Sequence, residues 1–376
     1  MRERCSTRWM AVAVIAFLLG LTGCKAADSG GDGDGNDDLD AGTDADADGD
    51  SDADADGDSD ADADADGDTD TYEASDGGEI VLDCSDCTPV GESLENMACA
   101  FELCDENLLL EMDYFSLTGA DTTGTKLAQE HFGSVANDLA PKENGAYATI
   151  ATGPCTGTMH SNSMGGDSWE DPYANDLYAD TPAFDVMNWE VILTAPEGAH
   201  GFSFVYVYLS EEYDDYIGTS CNDKFYVFIE AGSTNGGNKT IINFTDCRKP
   251  DEYNDFVCPT GAEWCEPGEP YCYIAINSAL SDCCWYDGCP DGYSWDVGTD
   301  ITGTGFECAP DEYSDGSNYG SSTGWLKTTW PIEPGETFKL TFHIMDVCDG
   351  VFDSEVLLDS FHFLGDYTEG GTVPIE

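Results

Sequence analysis

The chain has 376 residues, 77 of them acidic and 12 basic, and a formal net charge of −65 at pH 7. An acid excess of that size argues against nucleic acid, whose phosphates are neutralised by Lys and Arg. It favours solubility and makes divalent cations natural companions.

The N-terminus opens with Arg2, Arg4 and Arg8, followed by an apolar run from Trp9 to Leu19 and the small-residue stretch Leu21-Thr22-Gly23-Cys24. A basic start and an apolar core of fewer than about 15 residues make a signal peptide over residues 1–23, too short to be a spanning helix. Its end resembles the lipobox of bacterial lipoproteins. That resemblance implies cleavage before Cys24, lipidation of its thiol, and attachment to a membrane by an anchor rather than by a span. Lys25, in place of an Asp, is similar to the sorting signal of outer-membrane lipoproteins.

Residues 24–78 are built mainly of Asp, Gly, Ala and Ser, and every even-numbered position from Asp44 to Asp70 is Asp. Such a segment buries no apolar surface, and its charges repel one another, so it reads as an extended, disordered stalk. At about 3.3 Å per residue it reaches at most roughly 180 Å. The register Asp62, Asp64, Asp66, Gly67 and Glu73 fits an EF-hand loop pattern. Strict Asp alternation, however, matches most of that pattern in any frame.

Residues 79–376 form the expected globular domain. Ser93 to Cys104 places Leu94, Met97, Ala98, Phe101 and Leu103 at roughly helical spacing, with Ser93 as N-cap. Strands are predicted over residues 108–117, 147–152, 189–194, 202–209, 225–231, 241–244, 273–279, 325–330, 338–346 and 355–364. Pro196-Glu197-Gly198 and Pro334-Gly335 mark turns. Many strands and a single short helix predict an all-β sandwich or jelly roll.

Setting aside Cys5 and Cys24, fifteen of the 17 cysteines remain for this domain, which in an exported chain implies disulfides and at least one leftover thiol. Cys84-x-x-Cys87 with Cys99 and Cys104 admits zinc, but no spaced His or second C-x-x-C completes such a site. Eight cysteines crowd a loop-rich insertion at about 247–308. Within it Trp264, Trp285, Tyr286 and Trp295 are candidates for an aromatic binding face toward an extracellular glycan or protein.

The stretch from His200 to Gly232 organises the domain. Phe202, Phe204, Tyr206 and Tyr208 alternate with Ser203, Val205, Val207 and Leu209, so most of both strand faces is apolar and the strand belongs inside a layered structure. The loop after it carries Glu211, Glu212, Asp214, Asp215, Asn222 and Asp223. A second acidic group, Asp346, Asp349 and Asp353, follows a later strand. Ca²⁺ takes 6 to 8 oxygen ligands, and clustered loop carboxylates supply them. The expected ligands are Glu211, Glu212, Asp223, Asp346, Asp349 and Asp353, with one ion shared if both groups meet at one end of the sandwich. The alternative is that these acids cap turns and face water.

SEEYDDYIGTSCNDKFYVF resembles the hallmark of the choice-of-anchor L domain, an S-E-E-Y core followed by G and then N-D-x-F. Gly324-Trp325-Leu326, Pro334-Gly335-Glu336-Thr337, Ile344-Met345-Asp346 and Asp353-Ser354 before Val356-Leu357-Leu358-Asp359 are similar to its closing pattern, and Ala148 to Gly153 to an early strand. The resemblance covers roughly residues 80–365. It implies an exported bacterial surface protein, with no general activity.

Catalysis has less support. Gly320-Ser321-Ser322-Thr323-Gly324 matches G-x-S-x-G without a helix behind it, and the five histidines have no metal spacing. The expected role is a non-catalytic binding module on the bacterial outer membrane or cell surface. The alternative is a surface-anchored hydrolase acting on polysaccharide through carboxylates from distant segments.

Overall fold

The computed structural model describes residues 78–133, 137–155, 164–169, 182–212, 221, 223–246, 271–275, 301–306 and 320–375. In chain order the elements are β1 (Glu79–Ile80), α1 (Leu94–Ala100), β2 (Leu109–Ser116), β3 (Lys126–Gln129), β4 (Tyr147–Ala151), β5 (Ala183–Thr194), β6 (Gly201–Ser210) and β7 (Lys224–Glu230). Then come β8 (Thr240–Ile241), β9 (Phe244–Asp246), β10 (Tyr271–Ala275), β11 (Ser321–Ser322), β12 (Leu326–Pro331), β13 (Thr337–Val347), β14 (Ser354–Leu364) and β15 (Gly371–Pro374). One sheet runs β15-β12-β6-β14-β4-β3, with β1 added to β14 and β11 to β6; the other runs β2-β5-β13-β7-β10-β9, with β8 added to β7. Every pairing is antiparallel. The fold is an all-β sandwich, as the spacing of apolar runs predicts.

Strand β6 lies between β12 and β14 and is buried along its whole length. Phe202, Phe204, Tyr206 and Tyr208 point into the main core. There Phe202 stacks on Phe338 at 5.3 Å, Phe204 meets Phe342 edge-on at 5.7 Å, and Tyr206 meets Phe225 at 5.3 Å, which joins the two sheets. Val205, Val207 and Leu209 face the other way, into a second cluster with Phe132, Ile301, Phe306 and Trp325.

Helix α1 starts where Ser93 predicts. Asn96 N–H donates to Ser93 Oγ at 3.1 Å, and Ser93 N–H donates back to Asn96 Oδ1 at 3.3 Å, a reciprocal cap. The helix stops short of the expected Cys104 because Glu102 takes a left-handed backbone, φ 58°. Two nested disulfides, Cys84–Cys104 and Cys87–Cys99, clamp this segment and remove the zinc alternative. Phe101, fully buried at the helix end, packs on Trp189, Phe204, Phe342 and Phe361 with centroids 5.3 to 6.0 Å apart.

The expected strand over 241–244 is split. Between β8 and β9, Asn243 Oδ1 accepts from Val227 N–H at 2.6 Å and its Nδ2 donates to Phe225 O at 2.9 Å. Its amide thus pairs the side of β7 as a peptide unit would. Strand β5 begins earlier than predicted, at Ala183. It does so through a register shift opposite Ile344 and Asp346, where Asp185 takes φ 44°. A second shift, between Asp359 and His362 of β14, carries Ser360 at φ 54°.

Phe101→Ala empties the junction of both sheets and the helix. It should cost about 3–5 kcal/mol and lower the melting midpoint by on the order of 10 °C, read by near-UV circular dichroism.

Candidate functional site, an acidic end of the sandwich

Antiparallel pairing brings six strand ends to one place. Ser210 at the end of β6 pairs with Ser354 at the start of β14, and Glu355 with Ala151 at the end of β4. In the other sheet Val347 at the end of β13 pairs with Ala183 at the start of β5, and Met345 with Lys224 at the start of β7. Each of these ends carries or adjoins an acid. The two acidic groups read from the sequence therefore lie together, with Glu211 N–H donating to Asp353 O at 3.1 Å.

Most of these acids are not on the surface. Glu211 and Glu212 are each 2% exposed, Asp223 0%, Asp346 1% and Asp353 4%; only Asp349 of the expected set faces solvent. Asp349 apart, this overturns the alternative in which these acids face water. Asp223 bridges the sheets: its Oδ1 accepts from Val347 N–H at 2.8 Å and its Oδ2 from Ser354 Oγ at 2.9 Å. Ser354 N–H in turn donates to Thr152 Oγ1 at 2.9 Å. The Cys221–Cys348 disulfide ties the residue two before Asp223 to the end of β13.

Among the described residues, both carboxylate oxygens of Asp346 and both of Asp353 are buried without a well-formed hydrogen bond, as are Glu212 Oε2 and Glu355 Oε1. Burial raises the pKa of Asp346 well above the ordinary carboxylate value, and the nearby charges of Asp223, Asp353 and Glu212 push it the same way, only partly offset by the Thr152 hydroxyl beside it. Burial, then Glu211, Asp185 and Asp223, takes Asp353 to about 9. Glu212 and Asp223 are both raised, chiefly by burial, and their carboxyl groups lie against each other. Glu212 also feels Asp349, whereas Glu211 acts on Asp353 and Glu355, so the two neighbours face different acids. A carboxyl group in this setting must hold a proton or meet a cation.

The convergence is close but not closed. Among the described residues the only trio of His, Cys, Asp or Glu ligand atoms within 4.8 Å of one another is Cys84, Cys87 and Cys104, whose sulfurs are committed to disulfides. Any ion at the acidic end would have to draw the carboxylates inward. Gly153 leaves the room that Asp353 uses: a Cβ there would run into the Asp353 carboxylate.

Two members of the cluster were not among the expected ligands. Asp185 Oδ2 accepts from Met164 N–H at 2.9 Å, and Glu355 lies beside Cys155, a buried cysteine outside any disulfide. A signal for Glu355 was available, since it is an acid inside the apolar run of β14. Farther along β14 a second acidic group was missed. Asp359 Oδ2 accepts from Lys142 N–H at 2.6 Å, and Glu102, 5% exposed, lies against the backbone N–H groups of Ser360 and Phe361. His362 Nε2 is 2.9 Å from Glu143 Oε2.

Asp214, Asp215, Asn222, Cys24 and the aromatic candidates Trp264, Trp285, Tyr286 and Trp295 lie outside the described residues. Within the G-x-S-x-G match, Ser322 is buried in β11, and its Oγ accepts from Gly324 N–H at 3.0 Å. A side chain so placed is a strand residue, not an exposed nucleophile on a turn.

Residues 143–363 match the family model described as Choice-of-anchor L domain, more than half of the chain, and the chain belongs to that family. It is therefore a surface-associated protein. Comparison with curated proteins and with solved structures finds no match.

Glu102 supplies a pH test. Burial, with Asp359 and Glu143 adding to it, raises its pKa from 4.5 to about 9. The folded state then holds this proton where the unfolded chain has lost it. Its stabilising effect is complete below about pH 4.5 and is lost as pH rises toward 9. Glu102→Gln should leave the melting midpoint unchanged near pH 4 and raise it by about 4 °C or more at pH 8. In a separate test, Gly153→Ala should lower stability by about 1–3 kcal/mol by forcing Asp353 aside, measured by urea unfolding.

Proposed function

We propose that this is a lipid-anchored bacterial surface protein, tethered at Cys24 to the outer membrane, whose sandwich is a non-catalytic interaction module stabilised by Ca²⁺ at its acidic end. The observation that carries the cation is the set of orphaned, buried oxygens of Asp346 and Asp353 beside Asp223, Glu211 and Glu212. Oxygen-only donors with a negative local field suit a hard cation of variable coordination, which is the chemistry of Ca²⁺ rather than of zinc. Held there, the ion would neutralise the strand ends of both sheets and fix the loops that leave them.

A non-catalytic role is supported by the same burial. A polysaccharide hydrolase needs a carboxyl pair open to a sugar chain, whereas these acids are at most 4% exposed, Asp349 excepted. Binding is to be measured with fluorescently labelled chain on intact bacterial cells and on isolated surface polysaccharide, with product release from the polysaccharide followed in parallel. Adherence without product is expected; release of oligosaccharide would overturn the reading.

For the cation, the melting midpoint in millimolar CaCl₂ should exceed that in EGTA by roughly 5 °C or more. This follows because a ligand at about 100 times its dissociation constant adds about 2.7 kcal/mol. Asp346→Asn and Asp353→Asn should abolish the rise. If the parent shows no rise, and the Asn variants melt at or above its midpoint, the acids are held neutral by protons and no ion belongs there.

A further inference from the structure

Away from the acidic end, α1 and β2 enclose a groove of about 460 Å³. Leu94, Leu103 and Met112 contribute apolar surface to it, and Glu95, Glu106 and Glu111 are the exposed acids along it. Cys87, Cys99 and Cys104 also line it, so the two nested disulfides hold its helical wall in place. Its other wall is an edge strand. β2 ends its sheet, and among the described residues β5 is the only strand paired with it. The register shift between Leu109 and Glu111 sets Leu110 outward, 55% exposed.

We propose that this groove docks an extended segment of a partner protein, with alternating basic and apolar side chains, laid along the free edge of β2. Main-chain groups of an edge strand pair with an added strand, and side chains on alternate positions then choose the sequence. Apolar residues of the incoming strand fill the floor, and its Lys or Arg residues meet Glu95, Glu106 and Glu111. Charge also decides between occupants. A second copy brings another −65, and the chain's own Asp-rich segment would meet like charge, so both are disfavoured. A wall fixed by disulfides spares the partner much of the ordering cost on the receptor side. The inference rests on the interaction-module reading and is independent of the cation.

The test is fluorescence anisotropy of labelled eight-residue peptides with the full chain at 150 mM salt, where diffuse attraction is screened within about 8 Å. The peptides alternate Lys with Val, Lys with Gly, or Glu with Val. The Lys/Val peptide should bind at least tenfold tighter than the Lys/Gly peptide, and the Glu/Val peptide should not bind. The triple variant Glu95→Gln, Glu106→Gln, Glu111→Gln should weaken Lys/Val binding at least tenfold. Glu197→Gln, Glu333→Gln, Glu369→Gln, which neutralises three exposed acids elsewhere, should change it less than twofold. Equal binding of Lys/Val and Lys/Gly, equal loss in both triple variants, or no binding of Lys/Val would overturn the proposal. If that happens while the chain still adheres to cells or polysaccharide, the groove alone is wrong; loss of adherence as well would remove the interaction-module reading.

Discussion

The burial of β6 on both faces is the constraint on which the rest of this structure depends. Its inner face meets Phe338, Phe342 and Phe225 of the opposite sheet, and its outer face is covered by a second apolar cluster. Each aromatic or large aliphatic side chain fully buried in this way contributes about 1.5–3 kcal/mol relative to exposure. A strand fixed so firmly carries Ser210, Glu211 and Glu212 to a defined end, where no local preference of theirs would take them. The desolvation of those acids is imposed by packing elsewhere.

That imposed burial gives the acidic end its character. Carboxyl groups on a flexible surface loop would each be hydrated, and their mutual repulsion would be screened. Here Asp223 is held by Val347 N–H and Ser354 Oγ, while among the described residues Asp353 has no donor and Asp346 has only the Thr152 hydroxyl beside it, short of a well-formed hydrogen bond. The hydrogen bonds lock one member of the cluster and leave Asp346 and Asp353 in want of a proton or a cation. A buried polar group left in that state costs stability, and such costs concentrate where a site is kept ready for a ligand.

Acidity is used differently on the two sides of the domain. At the strand ends it is buried and convergent, which suits a compact hard cation. Along α1 and β2 it is exposed and spread over an apolar floor, which suits an extended basic segment. Both arrangements are compatible with a surface protein whose overall charge keeps copies of itself apart. Within the same sheet, Asn243 pairs the side of the interior strand β7 with its own amide where β8 gives way to β9. The β2 edge has an outward leucine and flanking glutamates instead.

The sequence by itself determined the elements that obey a short period. Alternation in 202–209, the Ser93 cap and the long apolar runs of β13 and β14 name their structures because strand and helix periodicity is a property of neighbouring residues. It also determined that the acids of two distant loops were of one chemical kind. It left the brief strands β1, β3, β11 and β15 unread, since two to four residues carry too little periodicity. Only the tertiary structure decided which strand ends meet, how four cysteines pair across α1, and where a register shift turns Asp185 toward Gly350. Burial of an acid is such a decision. Asp346 and Asp223 are far apart in the chain, and only the antiparallel registers of β13 with β7 and of β6 with β14 bring them, dehydrated, into one another's field.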